Sequence, residues 1–191
     1  MKWLEDEIEN RGKILDGNIL KVNSFLNHQL DIELLDKVTL LWFDHFKKYK
    51  PTKILTVEAS GIALATLLAQ RFRKPAVFAK KGKHANMGES YSAEVYSYTK
   101  GETQTISVDR EFLRSDDVVL IVDDFLANGS ASNALLELCK KAGCQVCGIG
   151  IVIEKGFQDG GKKLREQGID LFSLEIIDSM DPKTGKIEFR H

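Results

Sequence analysis

The chain is expected to fold as an α/β domain: a mainly parallel sheet flanked by helices, with an appended N-terminal cover and a flap near its middle. Three observations carry that expectation. Strand-like apolar runs alternate with helical patterns, the turns between them are short, and the runs are apolar throughout rather than on every second residue, as in strands buried on both faces. At 191 residues the chain has the length of one domain with a full core.

The elements follow in order. Residues 1–30 carry the apolar clusters ILKV and FL without a sheet-compatible repeat and are expected to be a hood over the sheet. From Asp31 to Tyr49, Leu34, Leu35, Val38, Leu41, Trp42 and Phe46 recur at three- and four-residue intervals, the mark of an amphipathic helix that Pro51 ends. KILTVE (Lys53 to Glu58), GIALATLLAQRF and PAVFAK (Pro75 to Lys80) make a strand–helix–strand unit with parallel strands. The polar, glycine-punctuated segment from His84 to Glu102 breaks the alternation. It places Tyr91, Ala93, Val95 and Ser97 on one face and Ser92, Glu94, Tyr96 and Tyr98 on the other, as a two-stranded flexible flap over about 83–100 would. A second unit runs through DVVLIVD (Asp117 to Asp123), a helix from Ser130 to Ala142 closed by Gly143, and QVCGIGIVIE (Gln145 to Glu154). The short helix GKKLREQG and a last strand, DLFSLEII, complete the chain.

With 27 basic and 28 acidic residues the formal net charge is −1, so nothing draws the protein as a whole to nucleic acid or anionic lipid. The N-terminal stretch MKWLEDEIEN is acidic, and no apolar run reaches the roughly 18 residues of a membrane span. A cytoplasmic protein with no nucleic-acid or membrane partner is expected. Cys139, Cys144 and Cys147 suit a reducing compartment; the CQVC pair leads into an apolar strand and has no second ligand pair for zinc, which favours packing. His28, His45, His84 and His191 match no metal-ligand spacing, and His45 is expected to be partly buried in its helix.

The stretch VVLIVDDFLANGSAS, Val118 to Ser132, is where chemistry is expected. Two carboxylates leaving water at the end of a buried strand cost several kcal/mol without partners. In an open parallel sheet ligands sit beyond the carboxyl ends of the strands, where Asp123 and Asp124 fall. Asn128-Gly129 supplies a tight turn, Ser130 a helix cap, and the helix start a set of free amides, which together suit a phosphate. Carboxylates beside that phosphate would repel it, so they are assigned to something uncharged attached to it, such as sugar hydroxyls. A ribose 5-phosphate meets both demands. No GK[ST] sequence occurs, which excludes a Walker loop. The acid pair of a response-regulator receiver opens its domain, whereas 122 residues precede this one.

VVLIVDDFLANGSA resembles the phosphoribosyl diphosphate signature of the type I phosphoribosyltransferases, in which four apolar residues and two acids precede a TGGT loop. Asn128 and Ala131 stand where threonines are usual, and Ser130 is left to supply a hydroxyl. With KVNSFLNHQ, EASGIA and GIVIEKGFQ in the same order, the chain is similar over nearly its whole length to the bacterial purine branch of that family that acts on xanthine. The resemblance implies a type I phosphoribosyltransferase-like fold over residues 1–191 as one domain, and transfer of a phosphoribosyl group from phosphoribosyl diphosphate to xanthine. It implies that Asp123 and Asp124 hold the ribose hydroxyls and, indirectly, magnesium (Mg2+) through the substrate. Ala127, Asn128, Gly129, Ser130 and Ala131 would cradle the 5-phosphate, and Ser60 and Gly61 in the turn from Glu58 would receive pyrophosphate. Lys80 and Lys81 would meet the diphosphate, the flap from Lys83 to Lys100 would close during turnover, and Leu20, Asn27 and Lys155 would contact the purine. A homodimer is also implied. Lys155 and Asn27 can donate to exocyclic oxygens, which favours an oxopurine over adenine, and a lysine donor facing a 2-amino group disfavours guanine. The alternatives are guanine or hypoxanthine as the base, or a purine-sensing regulator that binds phosphoribosyl diphosphate.

Overall fold

The computed structural model describes residues 1–82, 88–97 and 101–191, apart from the side chain of Ser97. The expected cover has more internal order than its sequence suggested. It is built from α1 (Lys2–Arg11), a hairpin of β1 (Lys13–Leu15) and β2 (Ile19–Lys21), and a π-helical turn over Asn23–Asn27. The three-residue strands are too short to show a period in sequence.

Helix α2 spans Ile32–Phe46, capped by the Asp31 carboxylate, which accepts the Leu34 amide at 3.2 Å. It ends three residues before the expected boundary and gives way to a 3-10 turn over Lys47–Tyr49, which a left-handed Lys50 at φ 51° closes. Then follow β3 (Lys53–Val57), α3 (Gly61–Phe72), β4 (Ala76–Lys81), the hairpin of β5 (Ser90–Ser97) and β6 (Glu102–Asp109), β7 (Val118–Leu126), α4 (Ser130–Ala142), β8 (Gln145–Lys155), α5 (Gly160–Glu166), β9 (Leu171–Met180) and β10 (Ile187–Phe189). The short edge strand β10 was not foreseen.

Among the described residues eight strands form one sheet in the order β10-β9-β8-β7-β3-β4-β6-β5. The middle strands β9, β8, β7, β3 and β4 run parallel, as the two strand–helix–strand units require, and antiparallel neighbours flank them. The expected flap is in part a hairpin continuous with the sheet, since β6 pairs with β4 through Lys80 and Lys81. Residues 83–87 and 98–100 of that segment, Tyr98 included, lie outside the described residues.

Alternation along β7 sends Leu120 and Val122 to one apolar cluster, with α2, α3 and the hood, and Val119 and Ile121 to the other, with α4 and α5. Close approach on the first face depends on two glycines of β8. A Cβ on Gly148 would meet the Phe46 ring at 2.4 Å, and one on Gly150 would meet the Trp42 indole at 3.0 Å. Hood residues Leu4, Ile8, Phe25 and Leu26 are fully buried in the same cluster as α2. His45 is tied down more firmly than its sequence implied: its Nε2 lies 3.0 Å from the Asp170 carboxylate and its ring stacks on Phe172 at 4.3 Å. Cys139 and Cys147 are buried, Cys144 is half-buried, and all three are free thiols, in keeping with the packing role. No helix among the described residues is long and apolar enough to cross a membrane.

Glu154, 2% exposed at the end of β8, shows how the sheet tolerates an interior charge. Burial alone would raise its pKa, but both Arg165 guanidinium nitrogens donate to it at 2.7 Å and Ser173 donates a further bond, so the carboxyl stays below the usual range. Its contribution to stability is therefore complete above the ordinary glutamate range and is lost as pH falls through the depressed folded value. Arg165→Met strands that carboxylate and is expected to cost about 3 kcal/mol in urea unfolding at neutral pH, with the deficit shrinking in acid. A midpoint within error of the parent would show that the fork holds nothing.

Candidate active site

Four strand ends deliver the candidate residues to one edge of the sheet. β3 leads into the turn Glu58–Gly61, β4 ends at Lys81, β7 carries Asp123 and Asp124, and β8 ends at Lys155. The acids were expected to close their strand. Instead β7 continues two residues beyond them to Leu126, with Phe125 paired to Ile153 and Leu126 to Glu154, so the pair lies within the ladder.

Asp123 and Asp124 are only 6% and 7% exposed. Each carboxylate accepts the amide of the following residue, Asp124 N–H to Asp123 Oδ1 and Phe125 N–H to Asp124 Oδ1, both at 3.0 Å. Burial, then the neighbouring Asp124 charge, pushes Asp123 well above the ordinary carboxylate range, while the Lys81 charge acts in the opposite sense. Asn27 reaches down from the hood and donates its Nδ2 to Asp124 Oδ2 at 3.2 Å; its own Oδ1 is buried with no partner. The expected purine-side residue therefore touches the acid pair directly.

At the turn after β3, a side chain on Gly61 would fall 1.9 Å from Thr56 Oγ1 and 3.2 Å from Asp123 Oδ1. Glycine alone lets α3 start against the acid pair. Ser60 precedes the helix without making a side-chain cap, and Glu58 Oε1 accepts the Lys81 amide at 2.6 Å, joining the ends of β3 and β4. Lys80 is half-buried and Lys81 exposed.

The loop Ala127–Gly129 turns through a left-handed Gly129 at φ 84° into α4. Ser130 was expected to cap that helix and does not. It is the first helical residue, its amide donates to Asn128 Oδ1 at 2.8 Å, and its Oγ accepts the Tyr96 amide at 3.0 Å. The β5 hairpin is thereby fastened to the loop. From below, Gly160 donates its amide to Ala127 O at 3.1 Å, and a Cβ there would lie 2.4 Å from that oxygen and 2.6 Å from Gly129 N. Ala131 continues the first turn, whose amides have no carbonyl partner in the helix and face outward as in any helix start.

Beside the loop opens a cleft of about 830 Å³ whose walls include Asn18, Ile19, Tyr96, Ala127, Asn128 and Lys155. Leu20 lies behind this wall, 5% exposed in the hood core, and its neighbour Ile19 faces the cleft. Lys155, half-buried, donates to Asn18 O at 2.8 Å and sits 5.8 Å from the Phe125 ring centroid. Phe125 and Phe157 lie inside the quoted stretches VVLIVDDFLANGSA and GIVIEKGFQ but were given no role there, and Asp159 was missed because nothing in its sequence surroundings marks it.

The model of the phosphoribosyl transferase domain family matches residues 27–184. The chain belongs to the phosphoribosyltransferase family. A protein of Bifidobacterium animalis subsp. lactis named xanthine phosphoribosyltransferase is 52% identical over the full length of both chains. One of the same name from Lachnoclostridium phytofermentans is 50% identical over 100% of this chain and 98% of its own. Among solved structures, the adenine phosphoribosyltransferase of Rhodothermus marinus superposes with a TM-score of 0.74 over 92% of this chain and 99% of that one, at 19% identity. That of Trypanosoma brucei, in complex with AMP, pyrophosphate and ribose-5-phosphate, gives 0.76 over 91% and 78%, at 17% identity. These shared folds identify this phosphoribosyltransferase as type I, a mainly parallel sheet between helices.

In this phosphoribosyltransferase the loop Ala127–Gly129 rests backbone on backbone against the start of α5. Gly160→Ala is expected to displace Ala127–Gly129, costing about 1–3 kcal/mol in unfolding, and to remove most of the thermal stabilisation given by added inorganic phosphate. Retention of that stabilisation would free the loop geometry from the Gly160 contact.

Proposed function

We propose that the chain is a xanthine phosphoribosyltransferase, which transfers the 5-phosphoribosyl group from phosphoribosyl diphosphate to xanthine and gives xanthosine 5'-monophosphate and pyrophosphate. The observation that carries this reading is the single cleft in which the phosphate loop, at Ala127 and Asn128, meets the hood and Lys155. The relatives bearing that name at about half identity over the full chain support the choice of base.

Each element has a part. Ala127, Asn128, Gly129, Ser130 and Ala131 cradle the 5-phosphate, and Asp123 and Asp124 hold the ribose hydroxyls and favour the cationic character that the sugar develops as diphosphate departs. Ser60 and Gly61 receive the pyrophosphate, with Lys80 and Lys81 meeting its charge. Leu20 shapes the hood wall, while Asn27 and Lys155 present N–H donors to the oxygens of the purine. Opposite a 2-amino group the Lys155 donor would be left unpaired, which sets guanine at a disadvantage. The segment 83–100 excludes water from the cationic sugar.

Among the described residues no group of three or more His, Cys, Asp or Glu could hold a metal by itself. Two buried carboxylates fit magnesium that arrives with its substrate, most of its oxygens coming from the diphosphate and water. When bound, magnesium neutralises the leaving group. Residues 1–191 act as one domain in the cytoplasm, and the functional unit is a homodimer, for which elution at twice the chain mass in gel filtration is expected; elution at the chain mass contradicts it.

Asp124→Asn tests the assignment at its centre. It preserves shape and the Phe125 amide bond while removing charge, so circular dichroism should match the parent and xanthosine monophosphate formation should fall by roughly 100-fold or more. Undiminished turnover would take this carboxylate out of the mechanism.

A further inference from the structure

The thiols do not pair as their spacing in the chain suggests. Cys147 is buried in the apolar cluster with α2 and α3, whereas Cys144 packs against the cluster with α4 and α5, so the CQVC pair is split across the two faces of the sheet. The cysteine on the same face as Cys144 is Cys139, buried in the last turn but one of α4. The way the helix stops brings them together. Gly143 is left-handed at φ 74°, its amide donates to Lys140 O at 3.2 Å, and the Cys144 amide donates to Cys139 O at 3.1 Å. In a glycine-terminated helix end of this kind the residue after the glycine folds back over the last turn, where two apolar side chains commonly meet. Here two thiols meet: Cys144 Sγ donates to Cys139 O at 3.4 Å, and the two side chains hydrogen-bond to each other.

The pair is unequal. Cys139 is 1% exposed, and its neighbour and burial both push its pKa up. Cys144 is half-buried, and the Cys139 thiol beside it draws its pKa down against the effect of burial. Of the charges nearby, Lys53 acts in the same sense and Asp117 opposes it; Asp117 is itself held by Lys53 at 2.8 Å, by Thr52 and by the Arg114 amide. The thiolate is the nucleophile toward oxidants, and exposure decides which sulfur meets them. Cys144 therefore reacts first, with Cys139 in place behind it.

We propose that Cys139 and Cys144 form a self-resolving oxidation site, at which a peroxide is reduced and the end of α4 closes into a disulfide that free thiols reopen. The Cys144 thiolate attacks one peroxide oxygen, the O–O bond breaks, and hydroxide leaves with its electron pair. The resulting sulfenic acid condenses with the Cys139 thiol: the S–S bond forms, the S–O bond breaks, and the Cys139 proton leaves with the hydroxyl as water. Two thiols are oxidised to one disulfide and one peroxide is reduced to two waters. The gain is reversibility, because a sulfenic acid consumed in this way does not proceed to sulfinic acid, which ordinary thiols do not reduce. Cys147, on the other face and pushed up to about 11 by burial, takes no part. The site stands apart from the transferase reading, since the 13 residues of α4 set it about 20 Å from the loop Ala127–Gly129.

The test treats the full chain with hydrogen peroxide, blocks remaining thiols with iodoacetamide and maps the tryptic peptides by mass spectrometry. Trypsin cuts after Lys140 and Lys141, between the two cysteines, so a disulfide joins two peptides. Of three free thiols the parent should keep one, Cys147, with the Cys139 and Cys144 peptides joined and all three thiols restored by dithiothreitol. In Cys139→Ala the same dose should drive Cys144 to sulfinic acid that dithiothreitol does not restore, and in Cys144→Ala the Cys139 thiol should survive. Three alkylated cysteines in the treated parent, a disulfide between two chains, or sulfinic acid at Cys144 to the same extent in the parent and Cys139→Ala would each overturn the proposal.

Discussion

Two adjacent carboxylates inside the central strand of the sheet are the constraint around which the rest of the molecule is arranged. Asp123 and Asp124 sit in β7 between the flanking strands β3 and β8, where burial and mutual repulsion both work against charge. What offsets that cost comes from four separate segments. The amides of β7 itself bond to both side chains, Lys81 brings positive charge from the end of β4, Asn27 comes down from the hood, and Gly61 gives way so that α3 can begin against them. The turn after β3, the end of β4 and the hood thus meet at the one pair of side chains.

The surrounding framework holds that meeting point by close contact more than by charge. Gly160 brings α5 against Ala127–Gly129, while Gly148 and Gly150 let Phe46 and Trp42 of α2 lie directly on β8. The hood is fastened in turn by Arg11, which bonds to Glu7 at 2.8 Å and to Asp31, the cap of α2, at 2.7 Å, and lies over the Phe25 ring. Partly exposed ion pairs of this kind contribute little singly. Their value here is positional, since they connect the cleft roof to the helix that the core already fixes.

Much of this was legible because the parallel sheet writes itself into continuous apolar runs with glycine and proline between them. The bounds of α3 and α4 follow directly from Gly61, Ser130 and Gly143. The misses share a physical cause, which is that the deciding partner is remote or the element very short. The extent of β7 was obscured by the polar pair inside it, which reads as a strand end although Phe125 and Leu126 continue the ladder. β1, β2 and β10 have three residues each, too few for a period to register. The Ser130 hydroxyl looks like a helix cap until Tyr96, 34 residues earlier, is brought beside it, and His45 gains Asp170 across 125 residues. In the candidate site, strand ends and loop could be read from motifs. The Asn27–Asp124 bond and the bond from Lys155 to the Asn18 carbonyl required the fold.

The most direct measurement is pyrophosphate release from phosphoribosyl diphosphate and magnesium with xanthine, guanine, hypoxanthine and adenine offered separately. Release fastest with xanthine is the result this account requires, because the proposed reading sets the Lys155 and Asn27 donors against a base that presents oxygens to both. Release fastest with another base would leave the phosphoribosyl chemistry of Asp123, Asp124 and their loop intact and contradict the role given to Lys155. Release with no base would contradict the enzymatic reading altogether.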